Sequence, residues 1–323
     1  MDAQRRKVAV AALSVVSNTT LVALKVIVGL LIGSVSVISE AIHSGVDLLA
    51  AVIALFAVRT ASKPADEGHP FGHGKVENVS GTVEAILIFL AAGWIIYEAI
   101  HKLFAETPLD EPGYGVLVML FSSVVNLVVS QKLFKVGRET DSVALQADAW
   151  HLRTDVYTSA GVMVGLGAIW IGGRIWPSAR LEWLDPVSAI AVALLIIKAA
   201  WDLTRESARD LLDVRLPPEE EQWVRSCVSR QRPRVRGFHE LRTRKAGSDR
   251  FIDLHLIVDG TMSVDASHQV TDDIERAVKE KLQGVSVSIH VEPCTDDCEP
   301  ECIDGCFLSD EERAELKPAA SRE

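Results

Sequence analysis

Six separate stretches of this chain are apolar over about twenty residues, near 8–32, 34–58, 79–103, 113–134, 143–171 and 184–201. A helix rises about 1.5 Å per residue, so each stretch is long enough to cross roughly 30 Å of hydrocarbon. The pattern predicts six transmembrane helices. The first stretch is too long, and too directly followed by a second, for a cleaved signal peptide. Apolar residues are concentrated in the first two thirds of the 323 residues, so a membrane half is expected to precede a soluble half.

Lysine and arginine in the short connections set the orientation. Arg5, Arg6 and Lys7 precede the first span, Arg59, Lys63 and Lys75 fall between the second and third, and Lys132, Lys135 and Arg138 fall between the fourth and fifth. These segments are expected in the cytoplasm. The opposite connections carry Glu106, Asp110 and Glu111, with Lys102, Arg174 and Arg180 as exceptions. Six spans then put both termini in the cytoplasm. A formal net charge of -11 argues against nucleic acid as a partner, because no basic face is available to neutralise phosphates. The five cysteines all fall on the expected cytoplasmic side, where they are reduced thiols rather than disulfides.

Inside two of the apolar stretches stand two pairs of histidine and aspartate at a spacing of four: His43 with Asp47, and His151 with Asp155. An ionisable side chain within a membrane span costs roughly 2.5–3.5 kcal/mol on insertion scales, so four of them need a reason. Side chains four apart lie one turn above each other on one helix face. Two such faces turned together would offer two imidazole nitrogens and two carboxylate oxygens, the donor set of a tetrahedral zinc-like ion. The alternative use, hydrogen bonding between helices, suits Asn18, Lys25, Glu84, Glu98 and Asn126 better.

Two carboxylates balance the charge of a divalent ion, which makes the loaded site tolerable in a low dielectric. Metal binding needs neutral imidazole and ionised carboxylate, and so it releases protons. That competition would couple an outward metal flux to an inward proton flux as helices rock to open the site to one side at a time. Nitrogen with oxygen donors favours zinc, cobalt, cadmium or ferrous iron over magnesium or calcium. Zinc is the expected ion, with Fe2+, Cd2+ and Co2+ as alternatives.

After about residue 212 the long apolar runs give way to short alternating ones. The pattern predicts a helix from Pro217 to about Gln231, strands near 237–244 and 250–258, a helix near 264–282 and a last strand near 285–292. That order is a small ferredoxin-like α+β unit. In the middle strand Ile252, Leu254, Leu256 and Val258 share one face and Asp253 and His255 the other. In the last strand the core face of Val285, Val287, Ile289 and Val291 turns His290 and Glu292 outward. His239 and His268 add two more imidazoles, so a metal site is possible here; the alternative is a scatter of surface histidines.

The segments SEAIHSGVDLLAA, HPFGHGKVE, ADAWHLRTDVYTS and GFHELRTRKAG occur in the order, and over nearly the whole length to Cys294, of the cation diffusion facilitator family of divalent-metal exporters, which the chain therefore resembles. The resemblance implies a homodimer in a bacterial inner (plasma) membrane, each protomer pairing a six-helix domain with a cytoplasmic ferredoxin-like domain, working as a metal/proton antiporter with zinc as substrate and regulatory ligand. It assigns the transport site to His43, Asp47, His151 and Asp155, with histidine at the first position as in the zinc-selective branch. It places a second site at Asp66, His69 and His73, where Pro70 and Gly72 argue for a loop rather than one helix face. A regulatory site carries over to His239, His255, His268, His290 and Glu292, relatives commonly having aspartate where Glu292 stands. Lys75 and Asp213 match a charged pair that ties the two halves together in relatives.

The expected organisation is thus a six-helix domain over 1–211, a cytoplasmic metal-binding domain over 212–294 and a tail over 295–323. From the last residue of the cytoplasmic domain into the tail, Cys294, Cys298, Cys302 and Cys306 recur every four residues among acidic side chains. Four thiolates could close a tetrahedral zinc site, although Pro300 rules out one continuous helix; the alternative is a tail of solvated thiols. Two further functional classes compete. A membrane-anchored metal sensor would bind metal without flux, and a membrane hydrolase would need a general base beside an open metal position. No HExxH or comparable helix motif is present, so an enzyme is not expected.

Overall fold

The computed structural model describes residues 3–32, 35–104, 115–175, 183–294 and 300–316. The chain divides into two compact units, Met1–Leu211 and Leu212–Glu323. The first holds α1 (Ala3–Ile32), α2 (Val35–Ala61), α3 (Lys75–Phe104), α4 (Gly115–Glu139), α5 (Val143–Ile175) and α6 (Leu184–Leu211). Among the described residues, five stretches are long and apolar enough to cross a membrane: Ala3–Leu31, Ala41–Ala61, Lys75–Phe104, Val118–Glu139 and Pro186–Leu211. The helices outrun the apolar windows, α6 by ten residues to Leu211. A window marks only what lipid must solvate, whereas the helical hydrogen bonds continue through polar turns beyond it.

The helices pack as α1 on α2, α3 on α6 and α4 on α5. Small side chains allow this. One buried cluster joins Ala11, Ala57, Ala144 and Ala149 to Leu133, Leu145 and Leu152, and another joins Ala85, Ala92, Ala147 and Ala200 to Ile88 and Ile196. In lipid, association rests on close van der Waals approach, which alanine and glycine permit. At Gly161 a Cβ would come within 2.5 Å of Val192, so only glycine lets α5 meet α6 there. Large side chains such as Leu31, Phe56, Leu90, Trp94 and Leu195 face outward, as a lipid-facing surface requires. The buried stripe of α1 is polar at intervals: Lys7, Ser14, Asn18 and Lys25. Lys7 is neutralised by Glu77 of α3, 3.1 Å away.

The second unit runs α7 (Pro218–Ser229), β1 (Val235–Ala246), β2 (Asp249–Val258), α8 (Val264–Lys281), β3 (Val285–Pro293), α9 (Pro300–Asp304) and α10 (Asp310–Leu316). Through β3 this is the predicted helix, strand, strand, helix, strand order. The sheet order is β1-β2-β3, with β1 antiparallel and β3 parallel to β2. Gly247, at φ 61°, makes the tight turn between β1 and β2, where a side chain would strain the backbone. Ser263 caps α8 by accepting from the Ala266 amide. Val224, Cys227 and Val228 of α7 and Val270, Ile274 and Val278 of α8 bury the Ile252, Leu254 and Leu256 face of β2. Both helices therefore cover one face of the sheet and leave the other open.

The tail folds back on the outer edge of β1. Phe238 N donates to Gly305 O at 3.1 Å, Phe307 N donates to Arg236 O at 2.7 Å, and Cys306 bridges to Gly237. At Gly305 a Cβ would fall 1.6 Å from the Phe238 oxygen, so the approach requires glycine. Phe307 packs beside Phe238 with its ring under the Arg232 guanidinium at 4.1 Å. This short strap covers an edge that would otherwise offer unpaired backbone groups.

Candidate metal sites

The His and Asp pairs of α2 and α5 meet crosswise. His151 Nε2 lies 3.1 Å from Asp47 Oδ1, and His43 Nε2 lies 3.7 Å from Asp155 Oδ1. Each pair within a helix is one turn apart, so facing the helices brings each histidine to the other helix's carboxylate. His43, Asp47 and Asp155 each offer a ligand atom, all within 4.8 Å of one another. His151 is not part of that trio, although its Nε2 contacts Asp47. Asp47 and His151 are 3% and 5% exposed, while the His43 side chain is 55% exposed.

A polar cavity of about 70 Å³ adjoins the trio, lined also by Lys25, Ser44, Ser122, Asn126 and Thr158. Asn126 Nδ2 donates to Asp155 Oδ2 at 3.3 Å, and Lys25 Nζ donates to Ser44 Oγ at 2.7 Å. Sequence reading assigned both residues to helix–helix hydrogen bonding. The signal that could have found them was their polarity within apolar helices, but it does not say which helix face turns toward the ligands.

In the connection between α2 and α3, a turn rather than a helix gathers Asp66, His69 and His73. Asp66 and His69 exchange backbone hydrogen bonds at 3.2 Å, and Asp66 Oδ1 accepts from the His69 amide at 2.7 Å. His73 Nε2 then lies 3.3 Å from Asp66 Oδ2, and the two imidazole rings are 4.4 Å apart. Gly72, at φ 82°, turns the chain between them. The His69 amide is the main cause that holds the Asp66 carboxyl below its ordinary range. The three residues form a group able to hold a metal ion.

On the open face of the sheet, register does what helix spacing does in the membrane. His239 pairs with His255, and His255 with His290, so three histidines stand in a row across three strands. A bulge between His239 and Arg242, with Glu240 at φ 48°, lies beside this row in β1. Glu292 reaches across it. Its carboxylate lies 2.9 Å from His239 Nε2, 3.1 Å from His255 Nδ1 and 3.5 Å from His290 Nε2. Partial burial pushes the Glu292 carboxyl up, but the His239 hydrogen bond and the surrounding imidazoles override it and leave the group below its ordinary value. His239, His255 and Glu292 form the third metal-competent group. His268 stays apart, on α8 beside Asp272 at 3.8 Å, because α8 covers the opposite face of the sheet.

Cys294 closes the sheet by donating its amide to Val258 O, Cys302 lies in α9, and Cys306 lies in the strap; Cys298 is outside the described residues. Among the described residues, no cysteine joins a group of three donors. Cys227 is a core residue of α7 whose burial pushes its thiol up. Lys75 opens α3, and Asp213, at φ 54°, lies 3.6 Å from Arg244.

The family model for the cation efflux transmembrane domain matches residues 11–212, and that for the cation efflux protein cytoplasmic domain matches 216–294. The chain is 38% identical over 264 residues to an uncharacterized transporter, sll1263, of Synechocystis sp., covering 82% of this chain and 83% of that one. It is 33% identical over 263 residues to the cation-efflux pump FieF of Escherichia coli (strain K12 / DH10B), covering 81% and 85%. Two solved structures are similar over shorter lengths. CzrB in its Zn form is 40% identical over 25% of this chain and 92% of that one, with a TM-score of 0.24. The metal-bound C-terminal domain of the CzcD transporter from Thermotoga maritima is 31% identical over 24% and 94%, with a TM-score of 0.22. With both halves matched in order, the chain belongs to the cation diffusion facilitator family of divalent-cation efflux transporters.

Proposed function

We propose that this transporter exports zinc from the cytoplasm in exchange for protons, with His43, Asp47, His151 and Asp155 as the four ligands of the moving ion. The observation that carries the reading is the crosswise approach of α2 and α5, with contacts of 3.1 Å and 3.7 Å between each histidine and the opposite aspartate. An arriving ion would replace both contacts at once. His151 Nε2 exchanges Asp47 for the metal, and the two carboxylates cancel the ion's charge. When the ion leaves, protons restore the histidine-to-aspartate contacts.

Residues 1–211 carry transport in this reading, 212–294 sense cytoplasmic metal, and 295–323 form an appendage. Asp66, His69 and His73 form a second site in the cytoplasmic connection. His239, His255, His290 and Glu292 form a regulatory site in this reading, and His268, on α8 across the sheet, lies outside that cluster. The matched cytoplasmic domain supports a homodimer, and the positive connections support cytoplasmic termini.

Zinc uptake into proteoliposomes under an imposed pH gradient tests the reading. Wild type is expected to accumulate zinc only with the gradient, and Asp47→Ala with Asp155→Ala to accumulate none; transport by the double variant at the wild-type rate would overturn it. Competition by Fe2+, Cd2+ and Co2+ in the same assay ranks the ions.

A further inference from the structure

The membrane unit encloses two carboxyl groups that the four ligands do not include. Glu84 of α3 and Asp148 of α5 are both 0% exposed. Their chain neighbours Ala85 and Ala147 share one buried cluster with Ile196, Ala200 and Leu203 of α6, so both carboxyls enter the interface of α3 with α5. Glu84 is not the tie between helices that its polarity suggests. Its hydrogen bond stays within α3, from Ser80 Oγ to Oε1 at 3.1 Å. Glu84 Oε2 and both oxygens of Asp148 have no protein donor. Ser14 of α1, also fully buried, stands beside Asp148 but out of hydrogen-bonding geometry. Among the described residues, Asp148 is the charged group that faces Glu84; α6 turns the apolar side chains named above to this level, and Asp47 of α2 acts on Asp148 rather than on Glu84. Asp148 is thus in electrostatic range of Glu84 on one side and of His151 and Asp47 on the other.

We infer that Glu84 and Asp148 form a proton-binding site separate from the four metal ligands, Glu84 carrying the proton in the metal-free protein and giving it up, by way of Asp148, when the ion binds. The inference rests on the metal-for-proton reading above and adds a proton that the ligands do not supply. Two enclosed carboxyls without a donor or a cation cannot both be ionised cheaply, and a proton removes that cost without needing space or further ligands. Glu84 Oε2, which accepts no hydrogen bond, is the atom to carry it. In the same reading the enclosed contact of His151 with Asp47 holds one proton, whereas the ion brings two positive charges. Exchanging one for the other raises the enclosed charge by one. A second proton leaving Glu84 restores it: the Oε2–H bond breaks, an Asp148 oxygen accepts the proton, and it passes to solution. Constant enclosed charge means that neither state is penalised in the low dielectric. The His43 side chain is more than half exposed, so solvent screens any proton it gains or loses and it stands outside this balance.

Calorimetric zinc titration of the full chain, in buffers of different ionisation enthalpy, counts the protons released per ion in the binding component that Asp47→Ala abolishes. Glu84→Gln keeps the shape and the Ser80 hydrogen bond but cannot release a proton. Wild type is expected to release about one proton more per ion than Glu84→Gln, so that its zinc affinity rises with pH about tenfold more steeply per pH unit. Glu84→Asp, which keeps a carboxyl, should recover the wild-type count. A merely structural Glu84 would leave the count where it is, and an equal count in wild type and Glu84→Gln overturns the inference. Should Glu84→Gln fail to fold, Asp148→Asn carries the same measurement, and an unchanged count there has the same force. Infrared difference spectra of wild type give a reading that needs no variant: the carbonyl stretch of protonated carboxyl groups should weaken when zinc binds, and a band that does not change overturns the inference. A wild type that binds zinc without releasing any proton contradicts the metal-for-proton reading itself, whereas a release that Glu84→Gln leaves intact contradicts only the second proton site.

Discussion

The membrane cluster and the sheet cluster use the same donor types in opposite settings. In the membrane, two aspartates and two histidines meet where Asp47 and His151 are almost fully enclosed. On the sheet, one glutamate serves three histidines on a face that solvent reaches. An enclosed site must balance its charge internally, because neither water nor salt screens it. In the proposed transport site Asp47 and Asp155 then supply one carboxylate for each positive charge of the ion. A half-exposed site can carry an excess of imidazole, since water supplies the rest.

Removing a carboxylate should therefore cost far more in the membrane than on the sheet. Asp155→Asn is expected to lower zinc flux on the order of a thousandfold, the effect of breaking a buried charge set. Glu292→Gln in the same assay should stay within about threefold if screening governs the sheet site. Equal losses in the two variants would break the comparison.

Within the sheet, adjacent residues of β2 face opposite environments and give the next largest contrast. Leu256 is fully buried under α7 and α8, and its replacement by alanine should destabilise the soluble unit by about 2–5 kcal/mol. His255→Ala, on the open face, should cost less than about 1 kcal/mol in the absence of metal. Hydrogen exchange of the β2 amides in the full chain measures both. Selectivity gives a smaller effect: His43→Asp replaces a nitrogen donor with oxygen, and should narrow the zinc preference over cadmium or manganese by about tenfold in competition flux.

Periodicity explains why some features were readable before any coordinates. A lipid-crossing helix must be apolar for about twenty residues, so six helices stand out, five of them long and apolar enough to cross a membrane among the described residues, and a spacing of four puts His43 above Asp47 whatever else happens. Strand alternation likewise separated Leu254 and Leu256 from His255. What was not readable depends on orientation between elements. No pattern within α1 says that Lys25 faces α2 at Ser44, and nothing within α8 says that His268 lies across the sheet from His255. The strap was hidden for a similar reason. Its seat on β1 depends on Gly305 meeting Phe238, sixty-seven residues earlier in the chain. The turn that gathers Asp66, His69 and His73 is intermediate, because Pro70 and Gly72 announce a turn without fixing which side chains it brings together.

The smallest effect sharpens the comparison from the acid side. Glu292 has an ordinary carboxyl value of 4.5 and sits below it in the folded protein: partial burial works upward, but the His239 hydrogen bond and the imidazole charges prevail. A carboxyl with a lowered folded value binds fewer protons when folded than when unfolded. Its contribution to stability is then fully present above the ordinary value and is lost as pH falls through the lowered one. Thermal melting of the metal-free full chain should show wild type above Glu292→Gln at pH 5–6, with the gap closing as the pH drops below about 4. Because this cluster is open to solvent, the gap should also shrink in high salt. A gap that persists unchanged in molar salt would mean that the sheet site is as enclosed as the membrane one, and the contrast between the two would then have to rest on donor geometry alone.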